Sequence, residues 1–166
     1  MMKLAETAIG NLHIDKGKAF DFFAVYARYE YAAKACGHVQ KSAQQIDLKI
    51  VPKSVADAIE KKFQAKLAAS ADLTKAVDYY RKYPPKKPVW DGAAPKWVDV
   101  PHTEKGSLLL LLHLAQVRNN LFHGGKGWKA EDGADRDNLL IEHGLILLGA
   151  IISSEETLEY EFSSFQ

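Results

Sequence analysis

Apolar residues recur at three- and four-residue steps along most of this chain, which is the period of helices that bury one face. The first such stretch runs from Lys16 to Cys36, with Phe20, Phe23, Ala24, Ala27, Tyr31 and Ala35 on one stripe. Asp15 suits its N-cap, and Gly37 suits the position just past its end, where φ > 0 is needed. A second helix follows Pro52, with Ser54-x-x-Asp57 as a candidate capping box and a stripe of Val55, Ile59, Phe63 and Leu67. It is expected to run to about Ser70. Asp72 is a candidate cap for a third helix, Leu73 to Tyr83, joined so closely to the second that the two pack as neighbours or fuse with a kink. The longest apolar run, Leu108 to Gly125 (LLLLLHLAQVRNNLFHGG), predicts a central core helix with Thr103 as N-cap. A last long helix is expected from Ala134 to Ser153, with Leu139, Leu140, Glu142, His143, Ile146, Leu147 and Ile151 on its apolar face. The short connection predicts that it pairs antiparallel with the central helix.

These elements predict an all-α fold: an up-and-down bundle of four to five helices in one domain spanning residues 1–166. Residues 1–14 read as a leader without periodicity. Residues 84–102 read as one long Pro/Trp loop, because their five prolines deny a helix its N–H donors. Trp90 and Trp97 in that loop either lie back on the core or offer a platform for bases. Lys86, Lys87 and Lys96 stand beside them and form the clearest basic segment. The tail from Ser154 to Gln166 is acidic and aromatic, without a clear assignment.

Composition narrows the class. At 166 residues with 47% hydrophobic and 26% charged residues, the chain is long enough for a proper core. A formal net charge of +1 excludes a uniformly basic nucleic-acid coat but leaves room for a local cationic patch. One cysteine, Cys36, allows no internal disulfide and no thiolate zinc set, which fits a reducing cytoplasm. His13, His38 and His102 show no metal-ligand spacing, so neither a metal nor another cofactor is expected. His113 and His143 read as core or interface histidines. No apolar run is long enough to span a bilayer, and the amino terminus lacks the apolar core of a signal peptide.

Arg118, Asn119, Asn120 and His123 stand out because they end the apolar central run. On an ideal helix Arg118 and His123 point roughly 140° apart. They share a site only if the helix end unwinds toward Gly124 and Gly125, or if a second copy supplies the missing partner. Arg118-Asn119-x-x-x-His123 resembles the Arg-x4-6-His signature of HEPN domains (higher eukaryotes and prokaryotes nucleotide-binding). These are small helical domains, many of them metal-independent RNases. VRNNLFHGGK looks like the stand-alone members, and Phe23 to Gly37 (FAVYARYEYAAKACG) looks like their first helix. The resemblance implies a catalytic set of Arg118, His123 and Asn119, supported by Asn120 and by the early-helix charges Arg28 and Glu30. Of those two, Glu30 is expected to face inward and meet the motif end of the central helix. It also implies RNA as substrate, pairing into a homodimer with two motifs in one cleft, and a toxin or defence role with a possible antitoxin partner. In the branch regulated by a nucleotidyltransferase antitoxin a tyrosine follows two places after the histidine; here that place is Gly125.

The residue types suit the chemistry. Histidine exchanges protons near neutrality. Arginine keeps its charge and matches phosphate oxygens with a planar fork. Cleavage through the 2′-hydroxyl would spare DNA and leave a 2′,3′-cyclic phosphate. Lys86, Lys87, Trp90, Trp97 and Lys126 are the candidate RNA contacts. Two other readings stay open: a HEPN domain that binds RNA, nucleotide or protein without cutting, and a structural helical dimer in which Arg118 pairs with Glu30 or Glu142 inside the bundle.

Overall fold

The computed structural model describes Lys3, Thr7 and residues 14–42, 47–122 and 133–164. Among these the chain is an all-α bundle with one small two-stranded sheet. The helices are α1 (Lys16–Ala35), α2 (Pro52–Ala69), α3 (Ala71–Lys82), α4 (Gly106–Phe122), α5 (Gly133–Ile152) and α6 (Glu156–Ser163).

Local signals set most helix ends. Asp15 Oδ1 accepts from Lys18 N at 2.9 Å, capping α1. At its other end Gly37 takes φ +79, and the N–H groups of His38 and Gly37 donate to Ala33 O and Lys34 O. That is the two-bond closure glycine permits. Ser70 alone separates α2 from α3. Its extended backbone makes the kink, and its hydroxyl accepts from Leu73 N at 3.2 Å. The expected caps Asp72 and Ser54 are therefore not used: Pro52 opens α2 without a side-chain cap, and Ser54 Oγ is engaged by His38 at 2.9 Å.

Thr103 does not cap α4 either. The helix begins at Gly106, φ +62, and its second residue Ser107 donates through N (3.3 Å) and through Oγ to the Glu60 carboxylate of α2. The positive φ favours glycine at Gly106, and a Cβ there would also crowd Glu60 Oε1 at 3.2 Å. Partial burial alone would raise the Glu60 pKa, but the bonds from Ser107 and Gln64 hold it below the ordinary value. A carboxylate borrowed from another helix thus satisfies the positive end of α4.

The core is one cluster, with Phe22, Ile59, Phe63, Tyr80, Leu114, Ile141, Leu147 and Ile151 fully buried. Tyr80 OH donates to Leu140 O at 2.7 Å, satisfying a buried hydroxyl. Gly144 lies between Tyr80 and Phe22, where an added Cβ would stand 2.6 Å from the Tyr80 hydroxyl oxygen and 2.8 Å from Phe22 Cε2. This lets α1 and α3 close onto α5.

The fold departs from the sequence pattern at three places. First, α5 packs chiefly on α3 and α1 and touches α4 lightly; the main partner of α4 is α2. Second, α1 buries Phe22, Tyr26, Tyr29, Ala32 and Ala33, whereas Phe20, Phe23, Ala24, Ala27, Tyr31 and Ala35 face outward. The helix carries two apolar stripes on opposite sides, and periodicity cannot say which one the bundle covers. On α5, Leu139 and Ile146 are likewise exposed, while Ile141 and Leu148 are buried. Third, the long loop folds in part into a hairpin, β1 (Lys87–Trp90) with β2 (Pro95–Val98), antiparallel. Asp91 Oδ1 accepts from Ala93 N and Ala94 N at 2.9 Å and shapes its turn, with Gly92 at φ +102. Pro88 and Pro95 are tolerated because a two-stranded sheet has an open edge on either side. The acidic tail forms α6, docked on α1, where Arg28 donates to the carbonyls of Phe162 (2.8 Å), Glu161 (2.8 Å) and Ser164.

Candidate active site

The last turns of α4 meet the middle of α1. There Arg118 donates through one terminal nitrogen to both carboxylate oxygens of Glu30, at 3.2 and 3.1 Å. Its other terminal nitrogen donates to Asn119 Oδ1 at 2.9 Å. The guanidinium also lies 5.8 Å from the centre of the Tyr26 ring. Glu30 thus meets the motif end of the central helix as expected. The pair is half-open to solvent, with side-chain exposures of 34% for Arg118 and 27% for Glu30.

The pair sits on a cleft of about 410 Å³ between α1, α4 and the segment leading to α2. Lys34 and Lys49 line it as well. Three cations against one carboxylate leave the cleft net positive, suited to an anion. Tyr26 and Tyr29 form its inner wall, and burial raises both phenol pKa values, so both stay neutral donors. Lys34, Lys49 and the two tyrosines were not singled out from sequence. Lys34 could have been, since it lies one helical turn beyond Glu30; Lys49 could not, because only the chain reversal after α1 brings it near.

The remaining candidates scatter. Asn120 is buried: its amide donates to Lys86 O at 2.7 Å and its Oδ1 accepts from Gln116 at 2.8 Å. It clasps the approach to the hairpin onto α4 and does not join Arg118. Arg28 points to α6 and stacks 4.5 Å over Tyr31, which corrects its place in the supporting set. His123 and Lys126 lie outside the described residues.

The hairpin separates the other candidates. Its register pairs Pro88 with Trp97 and Trp90 with Pro95, so side-chain alternation puts both tryptophans on one face and Lys87 with Lys96 on the other. Trp90 is 68% exposed, and Trp97 is half-buried. Lys87 and Lys96 therefore do not share a face with the tryptophans beside them.

His13 lies outside the described residues, and the other described histidines pack or bond within the fold. His38, buried, bridges Ser54 Oγ and Glu155 Oε2, each at 2.9 Å. His113 is buried beside His102, with ring centres 5.2 Å apart, and burial lowers its pKa to about 4. His143 stacks on Tyr79 at 4.7 Å. Among the described residues no group of three or more His, Cys, Asp or Glu side chains could hold a metal ion, and no single helix is long and apolar enough to cross a membrane.

No protein-family model matches the chain, and no curated protein or solved structure matches it either.

Proposed function

We propose that this protein is a HEPN-type, metal-independent endoribonuclease. The observation that carries the reading is the half-open Arg118–Glu30 pair on a net-positive cleft, near the end of the helix Gly106–Phe122, which His123 follows in the sequence. In the proposed reaction the ribose 2′-oxygen attacks phosphorus and the P–O5′ bond breaks. One imidazole takes the 2′-hydroxyl proton and a second protonates the leaving 5′-oxygen. Arg118 holds the crowded phosphate through its remaining N–H donors, and Glu30 and Asn119 fix the plane of its fork.

Each chain brings one motif histidine, so the two proton transfers call for two copies. The outward stripe of α1 supports such pairing. Phe20 is 67% exposed, Phe23 43% and Tyr31 36%, and the small residues Ala24 and Ala27 lie between them. Aromatic side chains present about 150–250 Å² each, so the three rings expose roughly 300 Å². A standard interface takes about 800 Å² per partner, so the stripe would form its apolar centre and flanking residues its rim. The stripe shares α1 with Glu30. A toxin or defence role in the cytoplasm agrees with this chemistry.

A second reading has a specific observation in its favour. Glu30 already neutralises Arg118, which suits a domain that holds RNA without cutting it. Incubating purified protein with mixed RNA, beside Arg118→Ala and His123→Ala, separates the two. The ribonuclease reading requires 2′,3′-cyclic phosphate products that disappear in both variants. RNA retained but uncut supports the binding domain. Full-rate cleavage by a strict monomer would refute the shared cleft.

A further inference from the structure

A second cavity, of about 540 Å³, opens between the end of α3, the approach to the hairpin and the start of α5. It shares no lining residue with the Arg118 cleft. Its wall carries three cations, Lys82, Lys86 and Arg136, against one carboxylate, Asp99. Two tyrosines, Tyr79 and Tyr83, complete it, with ring centres 5.0 Å apart and planes tilted by 46°.

These side chains are held in place. Tyr79 is backed by the His143 ring at 4.7 Å. The Arg136 guanidinium donates to Pro84 O at 2.7 Å, which sets one edge of its fork. Lys82 lies 5.2 Å over the Tyr83 ring. The cavity thus joins an aromatic surface to a cluster of positive charge, with one carboxylate acceptor beside them. Its volume falls in the range of small-molecule sites, about 300–1,000 Å³.

We propose that this cavity binds a nucleotide unit, that is, one base with its sugar and phosphate. The base stacks on the tyrosines, a contact contributing about 1–3 kcal/mol per base elsewhere. The phosphate meets Lys82, Lys86 and Arg136, and Asp99 accepts from a sugar hydroxyl or a base amine. A bare phosphate has no ring to stack on the tyrosines, and a bare nucleoside brings no anion to the cations. The proposal uses no residue of the Arg118 cleft; Lys86 alone is shared with the candidate RNA contacts. The unit could come as a free nucleotide or as part of a strand.

The test is calorimetric titration of the full chain with AMP, adenosine, inorganic phosphate and a five-nucleotide RNA. AMP is expected to saturate one site, with adenosine and phosphate each at least tenfold weaker. Lys82→Glu and Tyr83→Ala, both at exposed positions, should each weaken AMP at least tenfold while thermal melts hold, and Arg118→Ala should leave AMP binding unchanged. An RNA that binds more tightly than AMP, and still depends on Lys82, identifies a strand as the source; AMP as tight as the RNA identifies the free nucleotide. The proposal is overturned if AMP fails to saturate at millimolar concentration. It is equally overturned if phosphate alone matches AMP, or if Arg118→Ala abolishes AMP binding while Lys82→Glu leaves it intact.

Discussion

Arg118 on α4 and Glu30 on α1 are joined by a two-oxygen ion pair at 3.1 and 3.2 Å, across 88 residues of sequence. The pair fastens the motif end of the central helix to the first helix and sets the net charge available to a phosphate. Glu30→Gln removes the neutralising charge but keeps an amide oxygen for Arg118. Because both side chains are about a third exposed, we expect stability to fall by only about 1 kcal/mol, or roughly 2–4 °C in Tm. RNA affinity at low salt should rise several-fold. Filter binding at two salt concentrations checks this; unchanged affinity would mean that Arg118 does not meet the strand.

Gly144 gives a prediction about the core alone. Its Cβ position lies 2.6 Å from Tyr80 OH and 2.8 Å from Phe22 Cε2, and both residues are fully buried. Gly144→Ala must push α1 or α3 outward or break the Tyr80–Leu140 bond. Overpacking of this kind costs about 1–3 kcal/mol. Urea unfolding should record the loss, whereas Gly149→Ala, with open space around it, should not.

Acid should weaken the fold through His113. Burial, with His102 beside it, lowers its folded pKa to about 4 from an ordinary 6.5. The unfolded chain therefore binds this proton first, and stability rises with pH across that interval. Above about 6.5 the contribution is complete. Between about 6.5 and 4 it is lost, by roughly 3 kcal/mol at 1.4 kcal/mol per pH unit, and below 4 the curve flattens. Burial also lowers the His143 pKa and acts in the same sense. Chemical unfolding of His113→Leu from pH 7 to pH 4 should show a shallower loss than the parent chain.

The outward stripe of α1 predicts an association phenotype without a folding one. Phe20 and Phe23 lie outside the core, so Phe20→Ser with Phe23→Ser should change monomer stability by no more than about 0.5 kcal/mol per site. The double variant should elute as a monomer where the parent elutes as a dimer, and RNA cleavage should fall with it. A parent chain that elutes as a monomer at every concentration would remove the paired cleft.

Sequence by itself determined the helical class, most helix positions and the cap at Asp15 with the glycine stop at Gly37. These depend on local periodicity and backbone preference, which neighbouring residues encode. It also marked Glu30 and Arg118, through a motif. Tertiary structure alone decided which of two apolar stripes α1 buries, because both satisfy the same period. It decided that Glu60 caps α4, that Asn120 clasps Lys86, that Arg118 takes Glu30 and not Glu142, and that the hairpin parts Lys87 and Lys96 from its tryptophans. Each of these is a contact between distant segments, fixed by how helices pack and strands register, and no local pattern encodes it.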